Sequence, residues 1–244
     1  MLNKKLVTLA VSTALLAGIG ATSAQAFDLS ANVALTSDYR FRGISQSNED
    51  PAVQGGFDAS FEPGFYIGTW GSSVDFGGGN DTGSFGTLEL DYYAGWSGPI
   101  GDTDFGIDVG YAYYQYPGDT VDPKGDYQEF YVKPSWKDLS LNITYSDDYY
   151  AKTGKFWYYG ADYSLTFAED FSLGFHAGYN DFDEAGVFLS NDKDSYTDYS
   201  VSLGYTFKGV DFSVAWVGTD LDKEDYFDTD LAEDVAVFTI SKSM

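Results

Sequence analysis

The sequence predicts an all-β protein, an antiparallel transmembrane β-barrel of about twelve strands preceded by a cleaved signal peptide. Three features point there. Apolar and polar residues alternate with a period of two in run after run; no apolar stretch beyond residue 26 is long enough for a membrane helix; and the links between runs alternate long and short.

The N-terminus carries Lys4 and Lys5, an apolar run from Leu6 to Gly20, and Ala24-Gln25-Ala26 before Phe27. A basic start, a short apolar core and a small-x-small site are the parts of a secretory signal peptide. Residues 1–26 are therefore expected to be removed, leaving 27–244 as one barrel domain. The segment holds two lysines and no acid, so the formal charge of -25 becomes -27 without it. A polyanion of that size is excluded as a nucleic-acid binder. The chain has no cysteine, so neither disulfides nor thiolate metal sites contribute. Export without a helical anchor, combined with 18% aromatic residues, points to the outer membrane of a Gram-negative cell. The soluble alternative, a secreted β-sandwich, would not enforce alternating link lengths.

In the first run, Leu29, Ala31, Val33, Leu35, Tyr39 and Phe41 share one face. Asn32, Thr36, Asp38, Arg40 and Arg42 share the other, and these two arginines are the only ones in the chain. Further strands are expected at 52–61, 65–76, 87–96, 104–116, 127–136, 139–149, 156–166, 171–180, 198–207, 210–217 and 234–241. Facing is ambiguous in the third, where Tyr66, Trp70, Val74 and Phe76 compete with Phe65 and Ile67, and in the last, where Phe238 competes with Val237. Long links fall at 43–51, 77–86, 117–126, 150–155, 181–197 and 218–233. Short ones fall between them at 62–64, 97–103, 137–138, 167–170 and 208–209. That is how extracellular loops alternate with periplasmic turns. Aromatic residues are expected in two girdles: Tyr39, Phe41, Tyr113, Tyr116, Tyr149, Trp157, Tyr179 and Trp216 toward the long loops, and Phe61, Phe65, Trp96, Trp136, Phe171 and Phe207 toward the short turns.

Leu35-Thr-Ser-Asp-Tyr-Arg-Phe-Arg-Gly-Ile-Ser-Gln-Ser47, followed by Pro51-Ala-Val-Gln-Gly-Gly-Phe-Asp58, resembles the opening of the TorF porin family, also described as the Gcw_chp type. Trp70-Gly-Ser-Ser-Val-Asp-Phe76, Glu89-Leu-Asp-Tyr-Tyr-Ala-Gly95 and Asp108-Val-Gly-Tyr-Ala-Tyr-Tyr-Gln-Tyr-Pro-Gly118 extend the likeness over most of the mature chain. The resemblance implies an outer-membrane barrel with no established substrate. The end departs from the pattern: Phe238-Thr-Ile-Ser-Lys-Ser-Met244 closes on Met where an aromatic residue is usual.

Strand parity places Asp38, Asp58, Glu89, Asp91, Asp108, Glu129, Asp162, Asp198 and Asp211 in the lumen, against Arg40, Arg42 and Lys133. Arg40, Arg42, Glu89, Asp91 and Glu129 are expected at one level, as a charged constriction or as an ion-pair network that plugs the barrel. The expected function is passive diffusion of small solutes or ions, cationic or neutral rather than anionic; the alternative is a structural or surface-interaction barrel with a plugged lumen. An outer-membrane hydrolase would need a histidine beside a nucleophile. His176 is the only histidine, and Phe175-His-Ala-Gly-Tyr lacks a serine two residues on, so it is expected to be a hydrogen-bonded lumen residue and the protein not an enzyme. The acidic run Asp220-Leu-Asp-Lys-Glu-Asp225, with Asp228 and Asp230, lacks the turn glycine of a calcium loop and is expected to be solvated, bridged at most through divalent ions to lipopolysaccharide. No cofactor or metal is expected. Outer-membrane lipid, lipopolysaccharide and small solutes or ions are the expected partners, and the sequence sets no oligomeric state.

Overall fold

A computed structural model describes residues 27–77, 79–80 and 83–244. The signal-peptide expectation for 1–26 lies outside them. Among the described residues the chain forms β1 (Asp28–Thr36), β2 (Arg40–Phe41), β3 (Ile44–Ser45), β4 (Ala52–Phe61), β5 (Phe65–Ser73), β6 (Gly79–Asn80), β7 (Gly83–Ser84) and β8 (Leu88–Pro99). These are followed by β9 (Phe105–Gln115), β10 (Tyr127–Trp136), β11 (Leu139–Ser146), β12 (Phe156–Phe167), β13 (Phe171–Phe182), β14 (Ser195–Phe207), β15 (Val210–Thr219) and β16 (Val235–Ser243). Twelve of them close an antiparallel barrel in the order β1-β16-β15-β14-β13-β12-β11-β10-β9-β8-β5-β4, while β2-β3 and β6-β7 are separate two-stranded hairpins.

Closure is the pairing of β1 with β16, in which Asn32 faces Ser243 and Thr36 faces Thr239. Backbone bonds Ala31 N to Met244 O (3.0 Å) and Met244 N to Ala31 O (2.8 Å) carry the seam to the last residue. An aromatic terminus is thus not needed to complete the ladder, and every barrel strand has two neighbours, so no edge is left open.

Period-two alternation sorts the wall into two faces. Large apolar side chains at Leu29, Val33, Leu35, Val53, Phe57, Ile67, Val201, Leu203 and Trp216 point away from the barrel, with Phe57 64% and Trp216 51% exposed. The ambiguous strands resolve the same way: Phe65, Ile67 and Phe238 are exposed, while Val74 and Val237 are buried. Trp157, Tyr179 and Trp216 mark the rim beside the long loops, and Phe65, Trp136, Phe171 and Phe207 the rim beside the short turns.

The first long link departs from the expected strand. β1 ends at Thr36 rather than continuing to Arg42, and the chain turns inward to form β2 and β3. Their connection is Arg42-Gly43, with φ of 49° and 82°, the two successive positive values that a type I′ hairpin turn requires. Tyr39 and Phe41 therefore leave the expected girdle; Tyr39 is buried, and the Phe41 ring lies 6.0 Å from that of Tyr114. Tyr116 and Tyr149, also expected in the girdle, are buried because they lie just past the ends of β9 and β11, where the loops fold inward.

The result is a hydrophobic core inside the long-loop end. Tyr39, Ile44, Val74, Tyr116, Tyr127, Tyr149, Phe156, Tyr158, Phe182, Leu189, Tyr196 and Leu221 form one buried cluster, fed by several different loops. Each fully buried apolar side chain stabilises by about 1.5–3 kcal/mol, so the loops are held down by packing as a domain core is.

Gly43 is a specific point of this packing. A Cβ there would meet Thr219 Cγ2 at 2.4 Å and Asp198 Cβ at 3.1 Å, whereas one at Gly209, whose φ is also positive, would meet nothing. Gly209→Ala is expected to cost about 1 kcal/mol, from backbone alone. Gly43→Ala is expected to cost about 2–4 kcal/mol, from backbone and overpacking together. Thermal unfolding followed by gel heat-modifiability checks the order; equal effects would show that the hairpin tip is not packed against the wall.

Candidate functional site

The interior divides along the barrel axis. In the half toward the short turns the wall is lined by tyrosines lying flat across glycines on the next strand. Tyr93 pairs with Gly68 and Tyr66 with Gly95 across β5 and β8, and Tyr131 pairs with Gly110 across β10 and β9. A Cβ on any of these glycines would come within 2.4 Å of the facing ring or hydroxyl, so only glycine permits the flat arrangement. The hydroxyls then reach carboxylates: Tyr93 donates to Asp58 (2.5 Å) and Tyr66 to Asp108 (2.6 Å), and the Tyr66 and Tyr131 oxygens are 2.6 Å apart. Lys133 Nζ lies 4.4 Å from the centre of the Tyr131 ring, and its residue pairs with Asp108 in the β9-β10 register.

Toward the long loops the charged groups are buried and paired. Arg40, 2% exposed, is a bracket for the β2-β3 hairpin. Its Nε donates to Asp38 at 2.5 Å, and its Nη1 donates to the carbonyls of Gly43 (3.1 Å), Leu231 (2.7 Å) and Glu233 (3.1 Å). Nη2 reaches Glu49 at 3.1 Å. Asp38 also accepts from Ser45 (2.6 Å) and Ser47 (3.2 Å), so the hairpin base is stitched to itself and to the last long loop.

Arg42 extends from the hairpin tip toward the opposite wall. Its Nη1 and Nη2 donate to Glu129 Oε1 (2.8 Å) and Oε2 (3.0 Å), a bidentate pair. Tyr114 donates to the same carboxylate at 3.0 Å. The guanidinium carbon lies 4.6 Å from the ring centre of Phe41, 4.7 Å from Phe156, 4.5 Å from Tyr158 and 5.9 Å from Tyr149. Tyr196 donates to the Arg42 carbonyl at 3.0 Å.

Glu89 and Asp91, on one face of β8, complete the level. Both are buried, and Glu89 Oε2 and Asp91 Oδ1 have no hydrogen-bond partner. Of the five residues expected at one level, the fold brings Arg42 to Glu129 and leaves Glu89 and Asp91 facing the same interior, while Arg40 is spent on loop anchoring.

A third group joins adjacent strands. His176 Nδ1 is 2.8 Å from Asp162, and its Nε2 is 2.8 Å from Asp198 and 2.9 Å from the Tyr158 hydroxyl. Asn180 donates to the second Asp198 oxygen at 2.8 Å. The histidine is thus fully engaged in tying β12, β13 and β14 together. Asp211 lies exposed near the short-turn rim and accepts from Thr206 at 2.6 Å.

The acidic run at the loop end is partly paired: Lys193 meets Asp225 at 2.6 Å, and Lys223 contacts Asp230 and Glu233. The Lys193 contact holds the Asp225 carboxyl below its ordinary value. Among the described residues no group of three or more His, Asp or Glu side chains is placed to hold a metal ion.

An antiparallel twelve-stranded barrel with charged groups inside and an apolar belt outside is the architecture of a porin-like channel. The chain belongs to the family described as "Bacterial protein of unknown function (Gcw_chp)", whose sequence model matches residues 20–244. The porin name that came with the resemblance is not part of that description. Among solved structures the chain is similar to one described as "KdgM porin", with a TM-score of 0.52 and 12% identity over 88% of this chain and 97% of that one. It is equally similar to a NanC porin structure, with a TM-score of 0.52 and 13% identity over 88% and 98%. A second KdgM structure, in complex with disordered oligogalacturonate, gives a TM-score of 0.51 at 12% identity over 88% and 96%. At these identities the likeness concerns the fold. No curated protein matches the sequence.

The buried charges imply an asymmetry. Glu129→Gln leaves a guanidinium that cannot shed its charge buried without its carboxylate, whereas Arg42→Met leaves a buried carboxylate that a proton can neutralise. Breaking a buried pair costs about 3–5 kcal/mol; Glu129→Gln is expected within that range and Arg42→Met below it. Thermal unfolding of the two variants checks the order, and a larger loss for Arg42→Met would show that the carboxylate keeps its charge.

Proposed function

We propose that this protein is an outer-membrane channel for small cationic or neutral solutes, closed at its long-loop end by the β2-β3 hairpin in the state described here. The observation that carries this reading is the charge of the interior. Asp58, Asp108, Asp162, Glu89, Asp91 and Glu129 face Arg42, Lys133 and His176, and the tyrosine-lined half beside the short turns has the form of a polar vestibule. In a pore narrower than about 16 Å, two Debye lengths at physiological salt, such a lining repels anions along the whole path. One KdgM structure was solved with oligogalacturonate, a polyanion; the carboxylates here argue against a ligand of that charge for this chain. The exposed apolar belt with aromatic rims supports insertion in a bilayer, and the signal-like N-terminus supports an outer-membrane address with lipopolysaccharide around the barrel. The full engagement of His176 by two aspartates and a tyrosine argues against a hydrolytic role.

The buried aromatic cluster beneath the long loops favours a second reading, a permanently plugged barrel with a structural or surface-interaction role. Planar-bilayer recording separates the two. The channel reading expects a cation-selective reversal potential in a potassium chloride gradient, weakened by Asp58→Asn with Asp108→Asn and fading at molar salt. An anion-selective potential would overturn the charge argument, and a silent bilayer with well-folded protein would favour the plug.

Processing is expected to leave Phe27 as the first residue. The intact mass of protein from the outer-membrane fraction checks this, and retention of residues 1–26 would refute it.

A further inference from the structure

The Arg42 side chain is 7% exposed and meets a carboxylate and four ring faces. Only Phe41 comes from the hairpin. Glu129, Tyr149, Phe156 and Tyr158 belong to β10, β12 and the loop between β11 and β12, so the wall supplies three rings and a bidentate acceptor whether or not the hairpin is present. A carboxylate surrounded by ring faces is the chemistry that binds a flat, weakly hydrated organic cation, because ring quadrupoles and the acid attract the same charge. Two further carboxyl oxygens of the same interior, Glu89 Oε2 and Asp91 Oδ1, are buried without partners.

The hairpin is fastened unevenly. Its base is held through Arg40 to Asp38, Glu49 and the carbonyls of Leu231 and Glu233. Its tip is held by the Arg42 side chain, one bond from Tyr196, the Arg40 bond to the Gly43 carbonyl, and the packing of Gly43 against Thr219 and Asp198. Arg42 also has φ of 49°, a region that disfavours residues with a Cβ, so the cage must offset that cost.

We propose that the Glu129, Tyr149, Phe156 and Tyr158 cage is a binding site for guanidinium-type organic cations, that Arg42 fills it as an internal ligand, and that such a solute competes with Arg42 and unseats the hairpin tip. The binding site stands on the cage geometry alone; the opening that follows rests on the channel reading. A hydrated alkali cation gains little from ring faces and is a poor competitor.

The experiment titrates the refolded protein with methylguanidinium chloride by calorimetry at constant ionic strength, with sodium chloride as control. Arg42→Ala, which removes the internal ligand, is expected to bind methylguanidinium about tenfold or more tightly than the unaltered protein. Arg42→Ala with Glu129→Gln is expected to lose that gain. If Arg42→Ala does not fold, Arg42→Lys takes its place, with a gain of several-fold, because an ammonium cannot make the bidentate contact. Equal affinity in the variant and the unaltered protein, or a gain that survives Glu129→Gln, overturns the site. A parallel bilayer recording is expected to show current through the unaltered protein rising with millimolar methylguanidinium and not with equal sodium. Tight binding with no such rise in a conducting protein overturns the unseating. Silence under all conditions counts against the channel reading, and calorimetry still decides the site.

Discussion

The contact on which the interior depends is the bidentate pair between Arg42 and Glu129. It spans the lumen from a hairpin tip to the opposite wall, and it explains why a polar loop enters a barrel at all. Burying a guanidinium without a partner would cost several kcal/mol; with Glu129 below and rings on its faces, the same group becomes an anchor. Once the tip is fixed, Gly43 lies against Thr219 and Asp198, Ile44 is buried, and Ser45 N bonds to Leu231 O at 2.8 Å. The backbone of Asp75, at the start of the second long loop, then bonds to Gln46 O at 2.9 Å. One ion pair thereby organises the first, second and last long loops into a single cap.

The barrel itself was legible because its signals are local and repeated. A period-two run needs no partner to be recognised, and link length reports which rim a connection belongs to. The expected ranges at 52–61 and 127–136 coincide with β4 and β10, and the others shift mostly at the loop ends. The expected first strand runs past Thr36 because alternation continues through Ser37–Arg42 while the extended backbone does not. The strand ends in a bend at Ser37-Asp38, where Thr36 Oγ1 donates to Asp38 O at 2.9 Å, and the chain then reverses at Arg42-Gly43; arginine is not a residue whose presence announces positive φ.

The candidate site was legible in part. Strand parity places Asp162 inside, and Phe156 and Tyr158 share its parity on the same strand, so two of the cage rings are legible with it. Tyr149 could not, since it lies in a loop whose path depends on tertiary packing. The roles of the two arginines were not separable by sequence either. Both alternate correctly with the apolar residues around them, and only the fold assigns Arg40 to the hairpin base and the last long loop and Arg42 to Glu129 across the lumen.

A cap that is also a gate has to be marginal in a defined sense. A pore open one part in a hundred lies about 2.7 kcal/mol above its closed state, which is the scale of one well-made buried contact rather than of a whole core. The aromatic cluster beneath the loops is far larger than that, so opening by expulsion of the entire cap is implausible on energetic grounds. Movement of the hairpin tip alone is of the right size: it breaks the Arg42 pair and exchanges one guanidinium for another cation at Glu129. The base held by Arg40 and the cluster around Tyr149 and Phe156 would stay in place. Closure by one side chain on an anchored base is therefore the arrangement in which a solute of matching charge and shape can shift the equilibrium without unfolding the cap.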